Sequence, residues 1–376
     1  MRIFRVGGAV RDALLGLAVH DEDWVVVGAT PEQMIAAGYL PVGKDFPVFL
    51  HPATREEYAL ARTERKTGRG YQGFSFHAAP DVTLEEDLAR RDLTINAIAQ
   101  APDGALIDPF GGQRDLRHKV LRHVTESFRE DPVRILRVAR FAARFQDFTL
   151  DEGTLALMRA MVAEGEADHL VAERVWQELA RGLLEGRPSR MFEVLRACGA
   201  LQRVLPELQG DAHAMAAVDL AAQRQAPLPV RFACVTRGLG DGPEGAATLK
   251  ALCTRLRVPN ECRELAEVVL REQAAIQDSD PLPPAGIVRL LERCDALRKP
   301  QRFEQVLLAC EADARTRLGL AEGDYRQGRR LMAALHAARS VATAEIASQA
   351  QAAGLAGEAI GERVHQARVD AVAAVL

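Results

Sequence analysis

Short, largely apolar segments alternate with turns and helical patterns over the first 110 residues. Side chains two apart on a strand share a face, whereas apolar positions at three- and four-residue spacing mark a helix. Four segments are predicted strands: residues 3–6, 21–27, 46–50 and 57–61. Residues 9–15 have helical spacing up to Gly16, and Thr30-Pro31-Glu32 matches a helix N-cap followed by proline. The alternation predicts an α+β domain built on a palm-like sheet.

Helical spacing dominates from residue 127 onward. Residues 127–145 form a strong amphipathic pattern, and Glu130-Asp131-Pro132 supplies a cap and a proline near its start. One face of this predicted helix is basic: Arg134, Arg137, Arg140 and Arg144. Residues 150–210 are also predicted helices. The chain is therefore expected to continue from its α+β part into an all-α part.

Length and composition are typical of a globular protein with several domains. The 376 residues exceed one ordinary core, so two or three domains are expected. No apolar run approaches the roughly 18 residues of a membrane span, and no signal-peptide core is present. We therefore expect a cytoplasmic protein without a membrane partner. The six cysteines form no Cys-x-x-Cys pair, which disfavours zinc and disulfides and predicts buried reduced thiols.

Net charge leaves a nucleic-acid partner open. The formal charge of −4 disfavours a polyanion at first sight. Net charge describes the whole surface, however, and a local arginine stripe can still bind a phosphate backbone. Arginines also run through segments that look purely structural, so composition does not decide the question.

Asp21 and Asp23 are the first candidates for chemistry. They lie two apart at the start of a predicted strand and project from one face, while Glu22 points away. Mg²⁺ prefers a few carboxylates together with phosphate oxygens, and two such ions about 3.5–4 Å apart activate a hydroxyl and stabilise a leaving pyrophosphate. The alternative is a solvated strand end, which explains most isolated Asp-x-Asp pairs.

A strand, a Gly7-Gly8 turn and a helix precede this pair. Glycine lets the backbone approach a phosphate, and free N–H groups at a helix start favour an anion. Arg11, one turn into the helix, is placed to clamp the same phosphates. A Gly-Gly-x-x-Arg segment followed by Asp-x-Asp on a strand is far more specific than either part alone.

This combination resembles the nucleotidyltransferase core of the bacterial-type (class II) CCA tRNA nucleotidyltransferases and their poly(A) polymerase relatives. The resemblance is nearly free of gaps over residues 1–208. It implies an α+β fold, with a polymerase-beta-like palm head followed by an all-α neck, body and tail. The implied domains are a head at 1–122, a helical neck and body at 123–210 and a helical C-terminal domain at 211–376.

The resemblance assigns nucleotide contacts to the segment Arg90-Arg91-Asp92, which is followed by Asn96-Ala97. In the family this segment contacts the ribose and the triphosphate, which points to Arg91, with Asp92 and Asn96 as neighbouring candidates. Residues 84–97 look helical, so Asp87 and Arg91 also fit a plain surface salt bridge between positions four apart.

Asp131 and Arg134 are the implied base-reading pair. Cytosine and adenine both present an amino donor beside a ring-nitrogen acceptor, whereas uracil and guanine present the reverse. A carboxylate that accepts from the amino group and a guanidinium that donates to the ring nitrogen therefore favour binding of C and A. The same pair leaves the polar groups of U and G without hydrogen bonds. Arg137 and Arg140 are implied to lie against the nucleotide further along the helix. The alternatives are a purely capping Asp131 and a solvated arginine face.

Two more features of the head have simpler explanations beside the functional ones. Glu57 can face the two aspartates as a third carboxylate, although an exposed strand position explains it equally well. Residues 62–70 form a basic loop with glycines. In the family a flexible loop in this part helps the switch from C to A addition, whereas a solvated turn is the simpler interpretation.

The C-terminal domain resembles a metal-dependent phosphohydrolase of the histidine–aspartate kind that has lost its ligands. Where the family has His-Asp, this chain has Arg237-Gly238, and His213 is the only histidine between His169 and His336. Such a site needs several imidazoles with carboxylates around its ions. We therefore expect a folded domain without phosphohydrolase activity.

The sequence thus predicts an enzyme that adds C, C and A to tRNA 3′ ends from CTP and ATP. It would use Mg²⁺ and no nucleic-acid template, release pyrophosphate and bind the tRNA 3′ end and acceptor arm. Asp21 and Asp23 are the predicted catalytic metal ligands. The predicted nucleotide-binding residues are Gly8, Arg11, Arg91, Asp131, Arg134, Arg137 and Arg140. The rivals are a poly(A) polymerase, which shares the head, and an inactive RNA-binding relative.

Overall fold

The computed structural model describes residues 1–19, 22–42, 48–66, 74–77, 79–208, 211–240, 242–318 and 325–376. The strands are β1 (Arg2–Val6), β2 (Asp23–Val27), β3 (Leu40–Val42), β4 (Val48–Leu50), β5 (Glu57–Leu60), β6 (Thr63–Lys66), β7 (Phe74–His77), β8 (Ala99–Gln100), β9 (Leu106–Ile107), β10 (Val120–Leu121) and β11 (Thr149–Leu150). The helices are α1 (Gly8–Leu14), α2 (Pro31–Ala36), α3 (Leu84–Ala89), α4 (Gly112–His118), α5 (Val133–Arg144), α6 (Glu152–Ala163), α7 (Ala172–Leu184), α8 (Ser189–Ala197), α9 (Ala200–Val204), α10 (Ala212–Gln223), α11 (Leu228–Thr236), α12 (Gly242–Leu256), α13 (Asn260–Gln277), α14 (Pro284–Arg293), α15 (Pro300–Leu318), α16 (Arg326–Ser340), α17 (Thr343–Ala352) and α18 (Glu358–Ala373). Short 3₁₀ turns lie at Thr94–Asn96, Glu126–Glu130, Glu166–His169 and Arg237–Leu239.

Seven of the described strands form one mixed sheet in the order β3-β4-β5-β2-β1-β8-β9. Neighbouring strands are antiparallel except β2 and β5, which run parallel with Asp23 opposite Glu57. Val25 and Val27 pack into a cluster that includes residues of α3, and Val26 packs into a second cluster with α2. Because strand side chains alternate between faces, Asp23 projects on the α3 side, at the end where β2 begins.

The chain divides into two compact units. The first contains Met1–Gly182 and Arg190–Pro206, and the second contains Leu183–Ser189 and Glu207–Leu376. The sheet belongs to the first unit, and helices α10 to α18 belong to the second. The three-domain division with boundaries at 122 and 210 stays a prediction, since these units do not separate a head from a neck. None of the helices in the described ranges has the length and apolar character of a membrane span.

The predicted helix over 127–145 is wrong in its first part. A 3₁₀ turn covers Glu126–Glu130, and α5 begins only at Val133. Pro132 explains the break, because a proline ring disfavours the helical conformation of the preceding residue. Asp131 is accordingly extended, with φ −120° and ψ 105°. The break separates the Asp131 carboxylate from the regular turns of α5.

The segment 84–97 is helical only in α3 and again in the 3₁₀ turn Thr94–Asn96. Between them the Asp92 side chain accepts a hydrogen bond from the Leu93 N–H at 2.8 Å. Such local bonds compete with the helical pattern of backbone hydrogen bonds.

The predicted N-cap at Thr30 is confirmed, with Pro31 as the first helical residue and a reciprocal bond to Gln33.

Polar groups pair inside the C-terminal unit. His213 Nε2 lies 2.8 Å from Asp313 Oδ1, and Gln273 donates to the other oxygen of the same carboxylate.

All six cysteines of the chain are buried free thiols, as predicted. Burial raises the pKa of Cys234 and Cys294 to about 12, so both thiols stay protonated at neutral pH.

Candidate active site

A cavity of about 660 Å³ in the N-terminal unit opens between the start of α1, the segment after α3 and α5. Its charged lining residues are Arg11, Arg90, Arg91, Arg134, Arg137, Arg140, Arg144, Arg174, Asp12, Asp23, Asp92 and Asp131. Eight arginines against four aspartates give the site an excess of positive charge, which attracts polyanions. All seven predicted nucleotide-binding residues line this one cavity.

Gly7 is the glycine that the turn between β1 and α1 requires. Its φ is +69°, in the region that favours glycine, and its N–H donates to the Ile98 carbonyl at 3.3 Å. A Cβ at this position would lie 2.8 Å from Arg91 Nη1, whereas a Cβ at Gly8 would make an ordinary contact with Arg11. Gly8 is the glycine predicted from the sequence to bind the nucleotide, but the close approach belongs to Gly7.

Asp23 is exposed at the first position of β2 and lines the cavity. Glu57 is its register partner on the parallel strand β5 and therefore shares its face of the sheet. Glu57 is also exposed but is not among the described residues that line the cavity. Asp21, the other predicted metal ligand, lies outside the described residues, as do residues 67–70 of the predicted loop at 62–70, whereas Thr63–Lys66 of that loop form strand β6. The paired metal ligands and the third carboxylate remain predictions.

Two adjacent arginines share the carboxylate of Asp87. Arg90 donates to Oδ1 through Nε at 3.0 Å and through Nη2 at 2.7 Å, and Arg91 Nη2 donates to Oδ2 at 3.2 Å. Asp87 is fully buried, so this is not a plain surface salt bridge. Burial raises the pKa of Asp87, but the charges of Arg90 and Arg91 outweigh it and leave the pKa below its usual range. The ionised carboxylate holds both guanidiniums at the cavity wall.

Arg11 is buried rather than extended into the cavity. Its Nε and Nη2 donate to the two oxygens of Asp12 at 2.8 and 3.0 Å, and Nη1 donates to Asn96 Oδ1 at 2.5 Å. The guanidinium also lies over the rings of Phe141 and Phe145, 5.2 and 5.3 Å from their centroids. Burial lowers the pKa of Arg11, and Asp12 opposes this effect.

Asp92 joins the segment after α3 to α5. One carboxylate oxygen accepts from Leu93 N–H and from Asn96 Nδ2 at 2.8 and 2.9 Å, and the other accepts from Arg137 Nε at 2.7 Å. Burial raises the pKa of Asp92, but the charge of Arg137 and these hydrogen bonds together hold it well below its usual range. Asp92 therefore stays ionised and orients Arg137.

The carboxylate of Asp131 bonds to the first N–H of α5 and also lines the cavity. Its Oδ1 accepts from the Val133 N–H at 3.0 Å, and Arg174 donates to both oxygens at 3.1 and 2.7 Å. Arg134 Nη1 donates to the Ser127 carbonyl at 2.7 Å. Pro132 rather than Asp131 occupies the N-cap position of α5, so the predicted cap is wrong in its position. Asp131 still accepts from the first N–H of α5, which is one of the three hydrogen bonds of this carboxylate.

The arginine face of α5 is not a solvated face. Arg134 and Arg140 are buried, and Arg140 Nε donates to Glu178 of α7 at 2.7 Å. The guanidinium of Arg140 also lies 4.6 Å from the centre of the Phe141 ring. Sequence reasoning missed Asp12, Arg174 and Glu178 as parts of the site. The last two lie on a helix far along the chain, and nothing in the local pattern marks them.

Sequence profiles match two parts of the chain. The profile described as "Poly A polymerase head domain" matches residues 3–122, and that described as "Probable RNA and SrmB- binding site of polymerase A" matches residues 147–211. The multifunctional CCA protein of Verminephrobacter eiseniae (strain EF01-2) is 62% identical over 99% of this chain and 98% of its own length. That of Variovorax paradoxus (strain S110) is 59% identical over the full length of both chains.

Solved structures agree with the architecture. The Bacillus stearothermophilus CCA-adding enzyme in complex with CTP matches with a TM-score of 0.72 and 26% identity, covering 99% of this chain and 88% of that one. The Thermotoga maritima CCA-adding enzyme complexed with tRNA matches with a TM-score of 0.69 and 22% identity, covering 99% and 87%. These matches confirm the predicted fold class, a nucleotidyltransferase head followed by helices.

The lowered pKa of Asp92 predicts a pH-dependent contribution to stability. In the unfolded chain an aspartate titrates at about 3.9, so the unfolded state binds a proton before the folded state does. The contribution of Asp92 is therefore complete above this pH and is lost as the pH falls through it toward the lower folded pKa. The free energy of unfolding of Asp92→Asn, measured with urea, should lie furthest below the parent near pH 7 and approach it below about pH 4.

Asp103→Asn is the control, since Asp103 is exposed in a turn away from the cavity. A gap between the parent and Asp92→Asn that stays constant from pH 7 to pH 3 would contradict the ionised, arginine-paired state of Asp92.

Proposed function

The chain belongs to the multifunctional CCA protein family, and on this premise we propose that its N-terminal unit adds C, C and A to the 3′ end of tRNA. The substrates are CTP and ATP, and no nucleic-acid template is used. The observation that carries the proposal is the single cavity, which gathers every predicted nucleotide-binding residue together with Asp23. Its volume and its excess of arginines suit a nucleoside triphosphate.

The donor set at the cavity rim fits Mg²⁺. Asp23 offers a hard carboxylate at the wall where the Gly7 turn meets Arg91, and Mg²⁺ takes one or two carboxylates together with phosphate oxygens. Asp23 and Asp21 are the residues that would hold it. When bound, the ion lowers the pKa of the attacking hydroxyl and stabilises charge on the leaving pyrophosphate.

The residues of this chain contribute positioning and charge. Arg91 and the Gly7-Gly8 turn hold the triphosphate, with Arg91 oriented by Asp87. The tRNA 3′-hydroxyl attacks the α-phosphorus, a new P–O bond forms, the bond to pyrophosphate breaks, and the hydroxyl proton passes to water. Holding the reactants together and neutralising the phosphate charge account for the rate enhancement.

Base selection is assigned to Asp131 and Arg134. An ionised carboxylate has about four acceptor positions, and the Val133 N–H and Arg174 use three of those on Asp131. The remaining position suits the amino group of cytosine or adenine. Uracil and guanine present an acceptor at the same place and would leave buried polar groups without a bond.

Asp23→Ala is expected to abolish nucleotide addition while tRNA binding persists, because phosphate contacts elsewhere carry the affinity. The assay supplies tRNA that ends before CCA with labelled CTP, ATP, UTP or GTP, singly and together. The parent should add only C, C and A. Long adenosine tails from ATP alone would instead identify a poly(A) polymerase.

Asp21→Ala should behave like Asp23→Ala. Nucleotide addition that persisted in both variants at ordinary Mg²⁺ concentrations would show that these aspartates are not the metal ligands.

Asp131→Asn is expected to raise misincorporation of UTP on the same tRNA by about tenfold, because the amide brings a donor where the base requires an acceptor. If Asp131 were only a cap, this change would be nearly silent, since both residues cap well. Asp151→Asn is the matched control: Asp151 also caps a helix and also pairs with an arginine, but it does not line the cavity. Equal UTP misincorporation in the two variants would show that Asp131 has only a structural role.

We also propose that the C-terminal unit lacks phosphohydrolase activity. Within the described residues, no group of three or more His, Cys, Asp or Glu side chains is arranged to hold a metal ion. His213 and Asp313 bond to each other, and Gln273 also donates to that carboxylate. Arg237 stands where the family has a ligand, and its charge repels a divalent cation.

The full-length protein should show only background turnover of 2′,3′-cyclic nucleotides and p-nitrophenyl phosphate with Ni²⁺, Co²⁺ or Mg²⁺. Asp23→Ala serves as the control that silences the N-terminal site. Metal-dependent turnover that persists in this variant would show that another ligand set has replaced the lost one.

A further inference from the structure

In the N-terminal unit, five side-chain hydrogen bonds join α1 and the segment after α3 to two positions on α5, and the backbone of α5 between these positions completes a ring. The members of this ring, in order, are Arg137, Asp92, Asn96, Arg11, Asp12 and Arg144. It begins and ends on the same helix, at positions seven residues apart. With a rise of 1.5 Å per residue, these positions are separated by about 10 Å along α5.

Asn96 is the neutral member at the centre of the ring. Its Oδ1 accepts from Arg11 Nη1 at 2.5 Å, and its Nδ2 donates to Asp92 Oδ1 at 2.9 Å. An amide satisfies both neighbours because it presents an acceptor to the cation and a donor to the anion. A carboxylate here would repel Asp92, and an apolar side chain would leave two buried charged groups short of a bond. Asn96 itself is only 5% exposed.

The two arms of the ring end at different positions on α5, and both terminal arginines line the cavity. On one arm, Arg137 lies one turn beyond Arg134 on α5, on the side of the base-reading pair. On the other arm, Asp12 accepts from Arg144 Nη2 at 2.9 Å and belongs to α1, which begins directly after the Gly7 turn. Arg11 lies between the arms, over the ring of Phe141 in α5 and the ring of Phe145 directly after it.

We propose that Asn96 is a positioning residue that fixes the separation between the triphosphate subsite and the base-reading pair. The inference rests on the proposed function. Base discrimination depends on hydrogen bonds whose strength falls steeply with distance and angle. The ring ties α1 to α5 at Arg144 and the segment after α3 to α5 at Arg137, which keeps the triphosphate and the base at a fixed separation. If it opens, the base of a bound nucleotide shifts against Asp131 and Arg134 while both side chains remain in place.

The test compares Asn96→Leu with Thr94→Val. Both residues are buried in the same 3₁₀ turn, and Asn96→Leu removes two side-chain hydrogen bonds whereas Thr94→Val removes one. Thr94 Oγ1 donates to Asp115 Oδ2 at 2.7 Å, outside the ring and the cavity. The melting temperature, the KM for CTP and the ratio of UTP to CTP incorporation are measured for the full-length protein on tRNA ending before CCA.

Both variants should lower the melting temperature. Only Asn96→Leu should raise the KM for CTP and the UTP to CTP ratio, each by about tenfold, since small misplacements of a reacting group have effects of this size or larger. The KM for tRNA should stay unchanged. Equal selectivity changes in Thr94→Val and Asn96→Leu, or unchanged selectivity in both, would overturn the proposal.

Arg144→Met keeps the test valid if Asn96→Leu fails to fold. It opens the ring at a half-buried member and leaves Asp12 paired with Arg11. The same rise in UTP incorporation is expected, and parental selectivity in this variant would again contradict the proposal. A parent protein that adds no nucleotide to tRNA would instead refute the proposed function, which separates the two failures.

Discussion

The site depends on charge compensation inside a buried arginine cluster. Moving a guanidinium away from water is costly unless a carboxylate and further hydrogen bonds replace the lost hydration. Buried acids do this for the arginines of the cavity: Asp12, Asp87, Asp92 and Glu178. Each acid also fixes the direction of the guanidinium it pairs with. The arginines therefore face the cavity as an ordered set, and loss of one acid would leave a buried cation without its partner.

This pairing gives the cavity two functional ends. At the sheet end, Asp23 and the Gly7 turn meet Arg91, whose direction is set by Asp87. At the helical end, Asp131 is held by Arg174 of α7, and Arg140 is held by Glu178 of the same helix. Helix α5 connects the two ends and takes contacts from both. The sheet supplies the edge on which the proposed chemistry takes place, and the helices supply the proposed base selectivity.

Local pattern predicted the strands and helices of the head and the arginine face, and the resemblance to the family pointed to the nucleotide-binding residues on single segments. The apolar run of β2 and the Gly-Gly turn predicted the strand, the helix start and the place of Asp23. Pro132 also indicated a break in the helix, but the helical spacing of apolar residues on both sides of it led to the prediction of one continuous helix. The roles of Arg174, Glu178 and Asp12 could not be predicted, because each follows from a tertiary contact with α5. The preference for Gly7 over Gly8 required the distance to Arg91, which no spacing rule gives.

The backbone hydrogen bond between Gly7 and Ile98 has a consequence for synthesis of the protein. Strand β1 pairs with β8 through Val6 and Ala99, so the turn at Gly7 closes a loop that contains most of the sheet. Closing a long loop costs entropy before its contacts compensate, and such pairings form late. On the ribosome β1 can pair with β2 as soon as β2 emerges, but the other edge of β1 must wait for β8. The cavity must also wait for α5, so it takes shape only after much of the N-terminal unit has been synthesised.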